Sequence, residues 1–82
     1  MAEIRYKSSV GRDFKQIELA DRERIFVQIR EVLGANLRGG EQLRGEFEGL
    51  YKLRVGDYLV VYALVSEDVL VLRIRHRSSA YG

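Results

Sequence analysis

The stretch LYKLRVGDYLVVYALV, residues 50–65, decides the fold, because the apolar pattern has a period of two from Leu50 onward. That period is typical of a β-strand with two different faces. Within the stretch, Gly56-Asp57 is a two-residue segment that begins with Gly, as hairpin turns of type II′ do. The stretch therefore predicts two antiparallel strands, 50–55 and 58–65.

A second turn at residues 66–68, Ser-Glu-Asp, predicts a third strand from Val69 to about Arg77. With these two turns, Val55 lies opposite Tyr58 and Val65 lies opposite Val69. The same register predicts two cross-strand rows, Lys52–Val61–Arg73 and Arg54–Leu59–Arg75.

Because directly opposed residues share a face of a sheet, the register predicts two contrasting faces. One face carries cations around an apolar side chain: Lys52, Arg54, Leu59, Arg73, Arg75 and Arg77. The other face is apolar and holds Tyr51, Leu53, Val55, Tyr58, Val60, Tyr62, Leu64, Leu70, Leu72 and Ile74. A slip of one residue would exchange the two faces.

The N-terminal half predicts a short strand at residues 3–6 and then two helices. Ser8 or Ser9 is the expected N-cap of the first helix, which runs to about Glu18. In the second helix we expect Asp21 as a cap or first-turn acid and Gly34 as the C′ residue. The polar, Gly-rich segment 36–49 predicts a loop.

Both helices have an apolar face that can cover the sheet. These faces hold Val10, Phe14 and Ile17 in the first helix, and Ile25, Phe26, Val27, Ile29, Val32 and Leu33 in the second. The predicted fold class is therefore α+β: a strand, two helices and three antiparallel strands, with the helices on one face of the sheet and a cationic surface on the other.

The composition narrows the possible settings. A chain of 82 residues fits one domain. The sequence has no Cys, which excludes disulfides and thiolate zinc sites and favours a reducing compartment. It has no apolar run of about 18 residues and no signal-peptide layout at its start. We therefore expect a cytoplasmic protein without a membrane span.

The charge is unevenly distributed. Net charge is only +2, but residues 69–82 carry three Arg and no acid. A local basic stripe of this kind indicates a site for phosphates or for an acidic partner. A solvated strand edge that is protected by charge would give the same pattern, so the stripe alone leaves both interpretations open.

Ordinary catalytic sets are absent from the sequence. The single His, His76, falls by parity on the helix-packed face, which favours a structural or hydrogen-bonded residue over a base. Glu46 and Glu48 lie in the Gly-rich loop, where solvated carboxylates are the simplest interpretation. No His, Asp and Glu spacing suits a metal, so we expect neither a metal nor a cofactor.

Two motifs in tandem carry a resemblance to a known family. Residues 43–62, LRGEFEGLYKLRVGDYLVVY, resemble the central "L-x-G … G-x-Y/W-R/K-x-R/K-x-G-D-Y-R-x-x-Y" motif of the RelE/ParE superfamily of toxins. Residues 71–81, VLRIRHRSSAY, are similar to that family's closing "V-x-x-I-x-H-R … x-Y". The order of predicted elements also agrees, so residues 1–82 are expected to form a single toxin domain.

This resemblance implies the toxin of a prokaryotic toxin–antitoxin pair, neutralised by a cognate antitoxin. The RelE branch cuts mRNA in the ribosomal A site, and the ParE branch inhibits DNA gyrase without cutting nucleic acid. In the nuclease branch, the matching positions imply that Lys52, Arg54, Arg77 and Tyr81 are catalytic. The stripe adds Arg73 and Arg75 as predicted RNA-binding residues.

Leu59 is a departure from the family pattern, which most often has Arg after Gly-Asp-Tyr. On an exposed face we expect Leu59 to gain little from burial, and the missing Arg would otherwise stabilise the phosphate. The sequence fits an attenuated toxin, a deliberately detoxified variant, a natural enzyme that uses Arg75 instead, or a gyrase inhibitor.

Other roles for these cations stay open as well. Lys52 and Arg54 could simply solubilise an exposed face, and Arg73 and Arg75 could pair with acidic antitoxin residues.

Overall fold

Two successive hairpins build the centre of the sheet, and the N-terminal strand and a short edge strand complete it. The structure is a computed structural model that describes residues 3–36, 39–43, 45 and 49–80. The elements, in chain order, are β1 (Ile4–Tyr6), α1 (Ser8–Lys15), α2 (Leu19–Gln28), a π-helical turn (Ile29–Leu33), β2 (Glu41–Gln42), β3 (Leu50–Val55), β4 (Tyr58–Val65), β5 (Asp68–His76) and α3 (Arg77–Ala80).

The strands form one sheet in the order β1-β5-β4-β3-β2. β1 runs parallel to β5, and the other neighbours are antiparallel. The predicted α+β class and order of elements are confirmed. In the predicted loop at 36–49, the described residues Glu41 and Gln42 form an edge strand, β2, which pairs with Tyr51 and Lys52.

The β3–β4 hairpin has the predicted register. Val55 pairs with Tyr58, Arg54 with Leu59 and Lys52 with Val61. Gly56 has φ of 59°, whereas Asp57 is not among the described residues with positive φ. A positive φ at the first turn residue alone is what a type II′ turn requires.

The β4–β5 hairpin differs from the predicted one at two points. Its turn is one residue shorter, so Val65 pairs with Asp68 rather than with Val69. A β-bulge then lies at Leu72, because Tyr62 pairs with Val71 while Val61 pairs with Arg73. The extra residue in the bulge offsets the shorter turn, and the predicted rows through Arg73 and Arg75 are confirmed.

Between the turn and the bulge, the two faces of β5 are exchanged relative to the prediction. Val69 and Val71 are fully buried, whereas Leu70 and Leu72 are only partly buried and lie outside the core cluster. The predicted core positions of Leu70 and Leu72 are therefore wrong. The reason is the one-residue register shift, which moves each side chain to the opposite face.

α1 is held at this bulge by its own side chains. Its N-cap is Lys7 and has no side-chain cap, so the predicted serine cap is wrong. The Ser9 hydroxyl instead donates a hydrogen bond of 2.7 Å to the Leu72 carbonyl. The helix ends at Lys15, three residues before the predicted end at Glu18.

α2 and the π-helical turn follow the predicted apolar pattern, except at Val27, and they do not end at Gly34 as predicted. Asp21 is a first-turn acid, as expected. Val27 is 40% exposed rather than part of the packed face. Gly34 has φ of −67° and continues the helix, so the predicted C′ role, which needs positive φ, is wrong.

The core lies between the helices and one face of the sheet. Its buried members are Val10, Ile17, Ile25, Ile29, Leu33, Val55, Val60, Tyr62, Val69, Val71 and Ile74. No helix in the described ranges is long and apolar enough to cross a membrane. The packing of both helices on one face leaves the opposite face, with its two rows of cations, for the candidate site.

Candidate functional site

Two surface depressions lie on either side of the row Arg54–Leu59–Arg75, which crosses β3, β4 and β5. We call the first the β3 depression; its volume is about 310 Å³ and it is lined by Gly39, Gly40, Glu41, Lys52, Leu53, Arg54 and Leu59. We call the second the β5 cleft; its volume is about 510 Å³ and it is lined by Asp13, Gln16, Ile17, Tyr58, Arg73, Ile74, Arg75, His76 and Ser78. Lys52 and Arg54 therefore lie at the first depression, and Arg73 and Arg75 lie at the second.

In the β3 depression, both predicted catalytic cations already have partners within the chain. The Lys52 ammonium lies 3.6 Å from a Glu41 carboxylate oxygen, and these side chains are 29% and 76% exposed. The Arg54 Nε donates to the Gly56 carbonyl at 3.1 Å. The weak, exposed ion pair of Lys52 leaves its amine accessible, because such pairs contribute only about 0–1 kcal/mol.

Leu59 lies at the boundary of the two regions and is only 7% exposed. It is on the face opposite the helices and outside the main core cluster. The expectation that this position is solvent-exposed is therefore wrong. Its cross-strand neighbours, Arg54 and Arg75, have aliphatic stems that can cover an apolar side chain while their charged ends reach water.

One wall of the β3 depression is held against the sheet by a close backbone approach. The Gly40 N–H donates to the Tyr62 hydroxyl at 2.9 Å, and the Tyr62 side chain is fully buried and stacked on Tyr51. A Cβ atom at Gly40 would lie 2.5 Å from the Lys52 carbonyl oxygen and 2.8 Å from the Tyr62 hydroxyl. Only glycine fits there, since real Cβ atoms do not approach other heavy atoms so closely.

The β5 cleft contains a stronger ion pair, which the sequence did not reveal. Arg73 binds both carboxylate oxygens of Asp13 at 3.0 Å, and the same carboxylate accepts the Ile74 N–H at 2.9 Å. The Asp13 side chain is 11% exposed. The RNA-binding role of Arg73 stays a prediction, but any RNA contact would compete with this bidentate pair.

The environment of Asp13 works in two directions on its ionisation. Burial acts to raise the pKa of Asp13. The hydrogen bonds from Arg73 and the Ile74 N–H, with the charges of Arg73 and Arg75, outweigh burial and hold that pKa below its usual value. Asp13 lies four residues after Ser9, so both residues project from the same side of α1 toward the bulge.

Arg75 has no ion pair among the described residues, and it is exposed. Arg77 is not the last residue of β5, as predicted, but the first residue of α3, and its N–H donates to the Asp57 carbonyl at 2.8 Å. The strand ends at His76 because the chain turns into that helix. Tyr81, the fourth predicted catalytic residue, lies outside the described residues.

The aromatic end of the β5 cleft consists of Tyr58 and His76. Their rings meet edge to face at 5.3 Å. His76 Nδ1 accepts the Ser78 N–H at 3.2 Å and lies 2.8 Å from the Ser78 hydroxyl. The predicted hydrogen-bonded His76 agrees with these contacts, although its side chain is exposed rather than packed.

Tyr58 keeps its proton at neutral pH. Burial raises the pKa of Tyr58, and the carboxylates of Asp21, Glu18 and Asp57 raise it further. The lining of the β5 cleft therefore combines the cation of Arg75 with a neutral Tyr58 that has carboxylates nearby. Among the described residues, no group of three His, Asp or Glu side chains could hold a metal ion.

The comparisons with known proteins agree with this fold. A sequence model of the ParE toxin of type II toxin–antitoxin systems matches residues 4–81. The toxin–antitoxin complex RelBE2 of Mycobacterium tuberculosis is similar with a TM-score of 0.84 and 26% identity, over 94% of this chain and 92% of that chain. No curated protein sequence matches this chain.

Two further solved structures extend the likeness. The RelB–RelE antitoxin–toxin complex of Methanococcus jannaschii is similar with a TM-score of 0.76 and 25% identity, over 94% of each chain. The chromosomal ParDE system of Pseudomonas aeruginosa has a TM-score of 0.76 at 16% identity, over 93% of this chain and 96% of that chain, which shows the shared fold alone. With a family match over residues 4–81 and the α+β fold of its relatives, the chain belongs to the ParE toxin family of type II toxin–antitoxin systems, in the RelE/ParE superfamily.

Proposed function

We propose that this toxin cleaves mRNA on the ribosome and so arrests translation. The observation that carries the proposal is the row Arg54–Leu59–Arg75 across three adjacent strands. Adjacent strands lie about 4.8 Å apart, so the Cα atoms of the two arginines are about 10 Å apart. Two such long, exposed side chains can converge on one phosphate from opposite sides.

Cleavage of RNA through its 2′-hydroxyl needs a base, positive charge at the phosphate and an acid at the leaving oxygen. Of the three predicted catalytic cations, only Lys52 can act as the base, in its neutral form, because arginine stays protonated. The leaving 5′-oxygen takes its proton from water. Arg54 and Arg77 are assigned to phosphate binding, as is Arg75. Tyr81 is assigned to stacking on an unpaired base or orienting it.

The proposed site is incomplete by itself, which favours a ribosome-dependent enzyme. Leu59 stands where the family has a phosphate-binding Arg, and removal of one preorganised charge costs about 10²–10³ in rate. Glu41 also competes for the Lys52 ammonium. Correct positioning of the mRNA by the ribosome would supply much of the missing catalysis.

The proposed partners are the ribosome with mRNA in the A site and a cognate antitoxin, both met in the cytoplasm. Two of the similar structures, RelBE2 and RelB–RelE, are toxin–antitoxin complexes. Their identity to this chain, 26% and 25%, supports an antitoxin here as well. Acidic antitoxin residues near Arg75 and Arg77 would neutralise the cations that the proposal assigns to phosphate.

A primer-extension assay on programmed ribosomes tests this proposal. Purified toxin should cut mRNA in the A site and leave free RNA largely intact, because the site depends on ribosomal positioning. Arg54→Gln is the matched variant, and it should lower the cleavage rate about 10²-fold. Absence of cleavage at every toxin concentration would refute the proposal.

A second candidate is inhibition of DNA gyrase without cleavage, and one observation favours it. The apolar Leu59 and the bidentate pairing of Arg73 with Asp13 remove two positions at which the cationic face could bind a phosphate. The matching family model is also that of the ParE toxin. A supercoiling assay distinguishes the two candidates, since only the gyrase inhibitor would block supercoiling while leaving ribosome-bound mRNA intact.

A further inference from the structure

The outer edge of β5 is open beyond the end of β1. β1 pairs only with residues 69–71 of β5, and the Lys7 N–H makes one more bond, to the Val71 carbonyl. The chain then leaves the edge to form α1. Within the described part of the chain, no strand therefore fills the space next to residues 73–76 of β5, and the β5 cleft lies there.

The hydrogen bonds at each end of this segment fix which backbone groups point into the cleft. The Arg77 N–H bonds to the Asp57 carbonyl, on the β4 side, whereas the Ile74 N–H bonds to Asp13, on the other side. Since backbone groups alternate between the two edges of a strand, the Ile74 carbonyl and the His76 N–H also point away from β4. Neither group has a hydrogen-bond partner among the described residues.

The remaining groups of this edge are already occupied by α1. Ser9 binds the Leu72 carbonyl, and Asp13 binds the Ile74 N–H. One acceptor, the Ile74 carbonyl, and one donor, the His76 N–H, are left along this edge among the described residues. An added peptide strand gains affinity from a longer series of main-chain bonds, so two groups are too few for it. Two groups match the edge of a nucleobase, where a donor stands beside an acceptor.

The walls of the cleft have the chemistry of a nucleotide site. Tyr58 and His76 offer ring surfaces and polar atoms, and Gln16 offers an amide that can donate and accept. Arg75, which has no ion pair with any residue that the structure describes, provides a guanidinium for a phosphate. The volume of about 510 Å³ lies within the usual range for small-molecule sites, which is about 300–1,000 Å³.

The charge distribution of the cleft gives the bound nucleotide a direction. Asp13 and Arg73 neutralise each other, so the net charge of the cleft lining near Arg75 is positive. Of the carboxylates that act on Tyr58, Asp21 has the Arg24 guanidinium within 4.0 Å, whereas Glu18 and Asp57 disfavour a phosphate beside Tyr58. The phosphate is expected at Arg75 and the base along the strand edge.

From these groups we infer that the β5 cleft binds one unstacked nucleotide, with its base on the Ile74 carbonyl and His76 N–H and its phosphate on Arg75. The inference rests on the proposed function in one respect, because on the ribosome the phosphate of this nucleotide would be the one that Arg54 and Arg75 hold across Leu59. Binding of the isolated nucleotide does not require cleavage, so the two ideas can fail separately.

An NMR titration of the full chain tests the inference. Amide spectra are recorded with each of the four ribonucleoside 5′-monophosphates and, separately, with ribose 5-phosphate and inorganic phosphate. We expect saturable shifts of the His76 and Arg75 amides, and at least one nucleotide that binds about tenfold more tightly than ribose 5-phosphate. The added affinity comes from the base, which ribose 5-phosphate lacks.

Three variants assign the affinity to the cleft. Arg75→Gln should weaken nucleotide binding about tenfold, and Arg75→Lys should retain most of it, because the charge survives. Arg12→Gln is the matched control, since Arg12 is an exposed arginine of α1 that does not line the cleft, and it should bind like the wild type. Dispersed amide spectra of each variant show that it is folded.

Several results would overturn the inference. Equal affinity for nucleotides and ribose 5-phosphate would mean that no base is recognised. Shifts confined to Lys52 and Arg54 would move the binding to the β3 depression. If an extended acidic peptide shifted His76 while no nucleotide did, the edge would be a peptide site. Nucleotide binding without mRNA cleavage would refute the proposed function and leave the inference standing.

Discussion

The β3 depression and the β5 cleft both hold basic residues of one sheet, but they neutralise them in different ways. In the β3 depression, Lys52 meets a 76% exposed Glu41 at 3.6 Å. In the β5 cleft, Arg73 makes a bidentate pair with Asp13, whose side chain is 11% exposed and also binds a backbone N–H. The first arrangement leaves a cation available for chemistry, whereas the second uses a cation to hold α1 on β5.

The basic residues of one stripe are therefore not equivalent ligands. Arg73 and Arg75 are two residues apart on the same strand, yet only Arg73 has a described ion pair.

The largest effect is expected at the wall of the β3 depression. Gly40→Ala should lower the free energy of unfolding by about 3 kcal/mol, since the added Cβ would meet the Lys52 carbonyl and the Tyr62 hydroxyl. Urea denaturation measures this change. Gly34→Ala is the control: it has open space and a helical φ, so it should stabilise by about 0.5–1 kcal/mol. Equal effects at both glycines would contradict the close approach.

The next largest effect is expected for the contacts of Asp13 with Arg73 and with the Ile74 N–H, which hold α1 on β5 and which we call the clamp. Asp13→Asn should cost about 2 kcal/mol, because charge-assisted bonds to Arg73 and the Ile74 N–H are weakened. Glu67→Gln, at an exposed turn, should change stability by less than about 0.5 kcal/mol. Comparable losses in the two variants would show that the clamp adds nothing to stability.

The stabilities of the wild type and of Asp13→Asn are also expected to depend on pH in different ways. The folded-state pKa of Asp13 is lowered, so its stabilisation is present above the unfolded value of about 3.9 and is lost as pH falls through the folded value. The stability gap between wild type and Asp13→Asn should therefore be full at pH 6 and narrow below about pH 4. A gap that is independent of pH would contradict the charged origin of the clamp.

The clamp also marks where prediction from sequence reached its limit. Both rows, Lys52–Val61–Arg73 and Arg54–Leu59–Arg75, follow from turn chemistry and a period of two, and the structure has them. The bulge at Leu72 did not follow, because nothing local in the strand sequence distinguishes a shorter turn plus a bulge from a longer turn. The bulge depends instead on Ser9 and Asp13, about 60 residues away in sequence.

The burial of Leu59 was missed for a related reason. Parity assigns a side chain to a face, but it does not say whether neighbouring side chains cover it. Sequence patterns also gave no pairing for Arg73, since a bidentate partner on a helix is a tertiary contact. Asp13 did carry one signal: it shares a helix side with Ser9, next to the apolar positions Val10 and Phe14.

Leu59→Arg tests the boundary between the two regions. The substitution should cost about 1–2 kcal/mol, because Leu59 is 7% exposed, but its guanidinium can extend to the surface along Arg54 and Arg75. If the toxin is a nuclease that lacks one phosphate ligand, ribosomal cleavage should rise at least about tenfold. Leu59→Met, of similar volume, should leave cleavage unchanged. A lower rate in a folded Leu59→Arg protein would show that Arg54 and Arg75 already complete the phosphate site without a further cation.

The smallest change in stability is expected for Glu41→Gln. Removal of its ion pair with Lys52 should cost less than about 0.5 kcal/mol, since the carboxylate is 76% exposed. A double-mutant cycle with Lys52→Gln, read by urea denaturation, measures the coupling. The same cycle with Asp13→Asn and Arg73→Gln gives the coupling energy of that pair. Similar coupling energies for the two pairs would contradict the contrast between the two regions.

The most direct measurement compares Arg75→Gln with Arg73→Gln in the ribosomal primer-extension assay, at a temperature where both proteins are folded. We expect Arg75→Gln to lower the cleavage rate about 10²-fold. We expect Arg73→Gln to lose stability but to retain most of the rate, because Asp13 already binds the Arg73 guanidinium. A large loss of rate in Arg73→Gln, with Arg75→Gln close to wild type, would contradict the assignment of Arg75 to phosphate binding and of Arg73 to the contact with Asp13.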